Sequence, residues 1–384
     1  MKIPFHRPNV PESLDSIYKK SIKEGWLTTG GIVQKFEEKL KGYFNANHVI
    51  LLNSCTAALH LSLLGKSFSK KDKFLLPTLT FASTVECGEY LGMEPMLIDC
   101  APNSFLLDLN KVEDALKKDP LIKVLIPMHY GGEAVNMEEV YFLANKYNIF
   151  VLEDAAHALE TKYNNHKIGN TNHAAAFSFY ANKNLTTGGE GGAVATNNDH
   201  LAKQIKKLSL HGITKDGWSR FKSSGKWEYD ITELGYKYNL TDLSASFGLW
   251  QFNYIDEWHK KRKEIAQNYL LKLKKNKGLI LPDVADGHAW HLFVIKIVPE
   301  HWNLSRNQII QELNELGIGL AVHYKPIHKL SYYKKNYGLN EKHYPNANKL
   351  FDTIISLPIY PLISENDINY ITDAINHMFQ KYSK

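Results

Sequence analysis

Between residues 48 and 197 the chain alternates short apolar runs with segments whose apolar positions recur every three or four residues. The runs fall at 48–52, 74–76, 96–99, 123–128, 149–153, 175–179 and 193–196. Several are nearly all apolar, the pattern of strands covered by helices on both faces. Between two of them Met137, Val140, Leu143 and Ala144 follow helical spacing, opened by Asn136 with Glu139 three residues on, a signal for a helix start. Strand–helix alternation predicts an α/β fold with a mostly parallel seven-stranded sheet and right-handed crossovers.

Beyond residue 253 the pattern changes. A long polar helix is predicted over 255–275, a strand over 290–298, a helix over 306–316 and a strand near 319–324. In a final helix Ile368, Ile371, Ile375, Met378 and Phe379 share one face, with Ser364 as N-cap. This reads as a smaller α+β domain over 254–384, following a large domain over 13–253. Residues 1–12 are too short to stand alone and are expected to pack on one of the two bodies. A length of 384 residues suits two domains, and no repeat or low-complexity tract divides the chain further.

Composition narrows the partners. The 44% hydrophobic and 22% charged residues exclude collagen-like and disordered classes. The net charge of +6 is too diffuse for a nucleic-acid surface. Three cysteines, Cys55, Cys87 and Cys100, are an odd number without C-x-x-C spacing, which fits a reduced compartment. No run of 18 apolar residues predicts a membrane span, and residues 1–10 lack the apolar core of a signal peptide. The expectation is a soluble, cytoplasmic enzyme or binding protein.

The candidate chemistry starts at residues 151–157, Val-Leu-Glu-Asp-Ala-Ala-His. Ligands of parallel α/β sheets gather at the carboxyl ends of strands. Asp154 ends an apolar run, although alone it reads equally as a cap for a following helix. Lys183 lies 29 residues further on, where a strand enters the glycine-rich segment 188–192. One crossover and one strand fit in that distance, so both residues can reach one sheet edge. A lysine there suits a Schiff base with a carbonyl or with pyridoxal phosphate, and an aspartate suits the pyridinium nitrogen. A solvated loop lysine and a plain phosphate loop are the other readings. Neither G-x-x-x-x-G-K-[ST] nor G-x-G-x-x-G is present, so nucleotide-loop folds lack their fingerprint. Residues 53–60, Asn-Ser-Cys-Thr-Ala-Ala-Leu-His, leave a strand and open a helix, a ready anion site or a simple N-cap. Glu153 is expected to face away from Asp154. His288 and His291 are three apart, and on a strand that offset points to opposite faces, so they cannot both grip one metal without a bulge; Pro326 separates His323 from His328, and no metal site is expected.

In combination these blocks resemble the DegT/DnrJ/EryC1/StrS sugar aminotransferases, which are fold-type-I, pyridoxal-phosphate-dependent enzymes. The resemblance runs from Trp26-Leu27-Thr28-Thr29-Gly30 to Leu357-Pro358-Ile359-Tyr360-Pro361. It rests on Glu153-Asp154-Ala155-Ala156-His157, Lys183-Asn184-Leu185-Thr186-Thr187-Gly188, the segment 235–242 and Ala289-Trp290-His291-Leu292-Phe293.

The resemblance implies that Lys183 binds the cofactor and shuttles the proton, while Asp154 pairs with the pyridinium. Phe81 stacks on the ring, His157 lies near its phenolic oxygen, and Cys55 (through its backbone), Thr56 and Ser178 hold the phosphate. Asn239 reaches that phosphate from the second subunit of a homodimer. The nucleotide sugar lies against Trp26, Thr28, Thr29, His323, Tyr324 and Lys325. The implied reaction takes an amine from L-glutamate, leaves the pyridoxamine phosphate form, and aminates a keto group of a nucleotide-linked 4-keto-6-deoxy sugar for polysaccharide or glycan biosynthesis. Thr186-Thr187-Gly188 favours C4. The alternatives are a C3-aminating member or a nucleotide-sugar dehydratase. Dehydratases of this fold replace the lysine by histidine or carry an iron–sulfur cluster, which needs about four cysteine ligands. Two departures stand out. Gly188-Gly189 holds one glycine more than a common family loop, leaving Glu190 without an assigned role, and Cys55 stands where glycine is commoner.

Overall fold

All seven apolar runs form strands of one sheet: β1 (His48–Leu52), β2 (Lys73–Pro77), β3 (Glu94–Ile98), β4 (Ile122–Leu125), β5 (Phe150–Asp154), β8 (Ala174–Ser178) and β9 (Gly192–Thr196). A small hairpin, β6 (Lys162–Tyr163) and β7 (His166–Lys167), follows β5. This computed structural model describes residues 2–13, 15–214, 228–283 and 285–384. The sheet order is β1-β9-β8-β5-β4-β2-β3. The pairs β2–β3, β2–β4, β4–β5 and β5–β8 are parallel, whereas β9 is antiparallel to both neighbours. No helix lies between β8 and β9, so the chain returns along its neighbour without a crossover.

Strand alternation explains the apolar runs. Leu51, Leu75, Leu125, Val151, Ala175 and Ala195 enter one core. Their neighbours Ile50, Leu76, Val124, Leu152, Ala176 and Val194 enter a second core on the other face. Helices bury both faces, so each strand must be apolar at successive positions. The run predicted over 123–128 shortens to β4. Pro127 has no N–H for the ladder, and Met128 keeps one isolated bridge to Asp154.

The C-terminal body is a three-stranded antiparallel sheet of β10 (Leu279–Ile280), β11 (Phe293–Ile297) and β12 (Ile354–Leu357). The helices Ile255–Leu273, Arg306–Glu315 and Glu365–Tyr382 pack a separate core on it, including Tyr269, Phe293, Leu313, Ile355 and Ile371. Ser364 caps the last helix in a box with Asp367. The long helix spans the junction: Ile255 belongs to the large core, Ile265 and Leu273 to the small one. Two predicted strands change. The segment 290–298 becomes extended only at Phe293, because Trp290 adopts a left-handed φ of 51°. The segment 319–324 keeps a single bridge, Ala321 to Ser356.

The N-terminal strap packs on both bodies, not on one. Ile3 exchanges backbone bonds with Gly317 and Gly319 at 2.8 Å each. Six residues later the Asn9 carbonyl accepts from Gln251 Nε2 at 2.8 Å. Among the described residues no helix is long and apolar enough to cross a membrane.

Candidate active site

Because β9 runs against its neighbours, the ends of β1, β5 and β8 meet the start of β9 at one sheet edge. Asp154 ends β5 there and is 2% exposed. Thr84 Oγ1 donates to its Oδ2 at 2.6 Å and the Ala156 N–H to its Oδ1 at 3.1 Å. No helix follows, so its side chain closes a short turn and caps nothing. Burial raises its pKa, while those two bonds and the nearby Lys183 charge pull it back. Glu153 points to the opposite face, where it accepts from Tyr141 Oη at 2.6 Å and pairs with His129 Nε2 at 3.1 Å.

Lys183 lies on the loop that follows β8. Burial brings its ammonium down to about 8, against the opposing pull of Cys55 and Asp154. The loop is shaped by Thr186, whose Oγ1 accepts from the N–H groups of Gly188 and Gly189 at 3.2 and 3.3 Å. Both glycines have positive φ, 88° and 146°, so a turn open to glycine absorbs the additional residue. Glu190 contributes its carbonyl, which accepts from Thr187 Oγ1 at 2.6 Å.

The helix Cys55–Leu64 begins at the same edge. Ser54 caps it, its Oγ accepting from the Ala57 N–H at 3.1 Å. The N–H groups of Cys55 and Thr56 have no intrahelical acceptor and sit at the positive end of the helix dipole. The Cys55 thiol is buried, directed at the Ala176 carbonyl at 3.7 Å, and burial holds it protonated. Ser178 pairs with Gly192 across β8 and β9, next to this helix start. A Cβ on Gly192 would lie 2.4 Å from Ser54 C and 2.5 Å from Cys55 N. Gly192→Ala is expected to push the helix start out of place and to destabilise by about 1–3 kcal/mol, read by urea unfolding; an unchanged midpoint would show that the edge has slack.

His157 is 2% exposed. Its Nδ1 accepts from the Gly131 N–H at 3.1 Å, so a neutral ring carries its proton on Nε2. Burial and the charge of Lys183 hold it neutral. Nε2 therefore donates to Tyr324 Oη at 2.8 Å, which leaves the tyrosine proton for another acceptor. Phe81 is 57% exposed and its ring centroid lies 5.7 Å from that of Tyr324. His323 binds Ser356 Oγ through Nδ1 at 2.9 Å, and Lys325 is exposed beside them.

The sequence reading missed a polar chain behind Lys183. Asn184 Oδ1 meets His291 Nδ1 at 3.1 Å, and the His291 ring lies 4.3 Å from His157. Asn184 Nδ2 donates to Glu160 Oε2 at 2.8 Å, and Glu160 pairs with the buried Arg262. The premise for His288 and His291 also falls, since neither lies on a strand. The Ala289–Phe293 motif held the signal, but its partners are far away in sequence. Among the described residues no cluster of three or more potential ligands could hold a metal.

The other anticipated residues flank the end of β1, where Asn239 bridges Leu52. Trp26, Thr28, Thr29 and Asn239 line a separate cavity of about 790 Å³ with Lys207 and Lys237. Asn239 Nδ2 donates to Thr29 Oγ1 at 2.6 Å, and Lys237 Nζ to Asn239 Oδ1 at 2.5 Å. The six residues expected against the sugar thus fall into two groups within one chain.

A family model described as the DegT/DnrJ/EryC1/StrS aminotransferase family matches residues 11–376. The spore coat polysaccharide biosynthesis protein SpsC of Bacillus subtilis is 39% identical over 376 residues, 95% of this chain and 96% of that protein. The UDP-4-amino-4-deoxy-L-arabinose–oxoglutarate aminotransferase of Shewanella sediminis is 34% identical over 383 residues, 98% of each. Spr1654 from Streptococcus pneumoniae, solved in its PMP form, matches with a TM-score of 0.91 at 29% identity, covering 99% of this chain and 100% of that one; it is also known in its PLP form. With its α/β fold, its site edge and these matches over nearly its whole length, the chain belongs to the DegT/DnrJ/EryC1/StrS aminotransferase family and is a pyridoxal-phosphate-dependent sugar aminotransferase.

Proposed function

We propose that the chain moves the amine of L-glutamate to C4 of a nucleotide-linked 4-keto-6-deoxy sugar, at the edge where β1, β5, β8 and β9 meet. The observation that carries this reading is the convergence of Asp154 and Lys183, each close enough for its charge to act on the other, beside the open helix start at Cys55. The relative at 34% identity is named for a 4-amino-4-deoxy sugar and for oxoglutarate, the keto acid that L-glutamate becomes on losing its amine. The relative at 39% identity is named for polysaccharide biosynthesis, which supports a surface-glycan role.

The residues fit the cofactor. A buried carboxylate is complemented by a protonated ring nitrogen, and unbonded helix N–H groups by a phosphate. When bound, pyridoxal phosphate supplies the carbonyl that carries the amine and a ring that withdraws electrons. Asp154, fixed by Thr84 and Ala156, keeps the proton on the ring nitrogen. The Cys55 backbone, Thr56 and Ser178 would hold the cofactor's phosphate, and Phe81 would stack on its ring. His157, bonded through Nε2 to Tyr324, would lie near the phenolic oxygen. Lys183 Nζ would hold the cofactor and would serve as the base that takes up and returns a proton there. Asn239 reaches the phosphate held by a second copy, and Trp26, Thr28 and Thr29 join His323, Tyr324 and Lys325 around the sugar across that interface.

The purified enzyme is expected to be yellow, with an absorbance band that L-glutamate removes. A panel of nucleotide ketosugars then identifies the acceptor as the one that restores the band. A band indifferent to L-glutamate sinks the reading; restoration by 3-keto sugars alone overturns the C4 assignment.

A further inference from the structure

We propose that one ordered water molecule sits behind Lys183 and ties the N-terminal strap to the lysine loop, making His6 and Asn9 positioning residues for that lysine. The strap, the lysine loop, the helix Ile255–Leu273 and the turn after β12 line a small, partly open cleft of about 10 Å³, walled by His6, Asn9, Lys183, Asn184, Arg262 and Tyr360 among others. One water needs roughly 10–15 Å³.

Three polar atoms of the lining residues are buried without a hydrogen-bond partner in the protein: His6 Nε2, Asn9 Oδ1 and Arg262 Nε. Asn9 is 8% and Arg262 2% exposed. Buried polar atoms are seldom left unpaired. Arg262 Nε can only donate and Asn9 Oδ1 can only accept. Burial beside Arg262 and Lys183 brings the His6 pKa down to about 4, so the ring is neutral and Nε2 accepts or donates according to its tautomer. A water that accepts from Arg262, donates to Asn9 and either donates to or accepts from His6 satisfies all three, and three bonds are typical of buried water. An anion would meet the Asn9 acceptor and a cation would meet Arg262, so neither fits all three.

The water adds a second route between strap and lysine loop. In the first, Gln251 Nε2 donates to the Asn9 carbonyl while Gln251 Oε1 accepts from the Thr186 N–H at 2.8 Å. In the second, the water reaches Arg262, which holds Glu160, which holds Asn184 next to Lys183.

Two measurements on the cofactor-loaded enzyme test this. A high-resolution crystal structure is expected to show one water within about 2.7–3.2 Å of the three atoms. An empty cleft, or a direct Asn9–Arg262 bond that closes it, overturns the water. Asn9→Leu deletes the acceptor but keeps the backbone bond to Gln251; Asn9→Asp keeps an acceptor. The visible circular dichroism of the bound cofactor, which follows its orientation, is expected to fall about twofold in Asn9→Leu and to stay near the native signal in Asn9→Asp. An unchanged signal in Asn9→Leu, or equal losses in both variants, overturns the positioning role. If Asn9→Leu does not fold, the crystal structure of the native enzyme still decides. The spectroscopic arm rests on Lys183 carrying the cofactor, and failure of that premise is separately visible as a band that survives Lys183→Ala.

Discussion

Lys183→Ala is expected to abolish the absorbance band of the lysine-bound cofactor and to lower amine transfer by more than about 10³-fold, leaving the fold intact. The loss follows from one atom. Nζ is the proposed attachment point and also the proposed base, and the loop has no substitute in reach. The fold survives because the loop is built by others. Thr186 holds the turn through Gly188, Gly189 and Gln251, and the Lys183 backbone N–H bonds to the Tyr180 carbonyl at 2.9 Å. Alanine keeps that backbone bond. The same residue sets a pH dependence. A free Lys183 works as a base only when neutral, and burial lowers its pKa from 10.5 to about 8. Single turnover of the pyridoxamine phosphate form with a ketosugar is therefore expected to speed up as pH rises through about 8. A midpoint near 10.5 would mean that the lysine is solvated during that step, and a native-like band in Lys183→Ala would mean that another lysine holds the cofactor.

What the sequence revealed depended on the range of the interaction. The large sheet was legible because each strand is buried on both faces, which leaves nearly unbroken apolar runs such as 48–52 and 175–179. That Asp154 and Lys183 come near each other was legible because adjacent strands fix where the segments after them gather. β12 was not, since Ile354–Leu357 directly follows the helix Pro345–Thr353 with no turn residue between them, and its extended shape comes from pairing with β11. Trp290 looked extended because its neighbours are apolar, but the turn that brings His291 to His157 needs its left-handed backbone. Glu160, Asn184, His291 and Arg262 form one polar chain across separations of 24, 107 and 102 residues, and no local pattern announces it. The strap contacts are similar: Asn9 and Gln251 meet across 242 residues.

The largest stability effect is expected at the buried pair of Arg262 and Glu160. Both side chains are almost wholly removed from water, at 2% and 0% exposure. Arg262→Met leaves the Glu160 carboxylate buried without its cation and is expected to cost about 3–5 kcal/mol. Glu160→Gln strands the guanidinium and is expected to cost a similar amount, yet its amide oxygen can still accept from Asn184. The two single variants should therefore separate stability from the site. Glu160→Gln keeps the Asn184–His291 bond and hence a near-native cofactor band in the molecules that remain folded. Combining Arg262→Met with Glu160→Gln removes both charges and should recover part of the loss, because a neutral buried pair has no ionic desolvation to offset. Urea unfolding of the four proteins forms a double-mutant cycle. Additive losses would show that the pair is not coupled, and Glu160 would then act on the lysine loop only through its bond to Asn184.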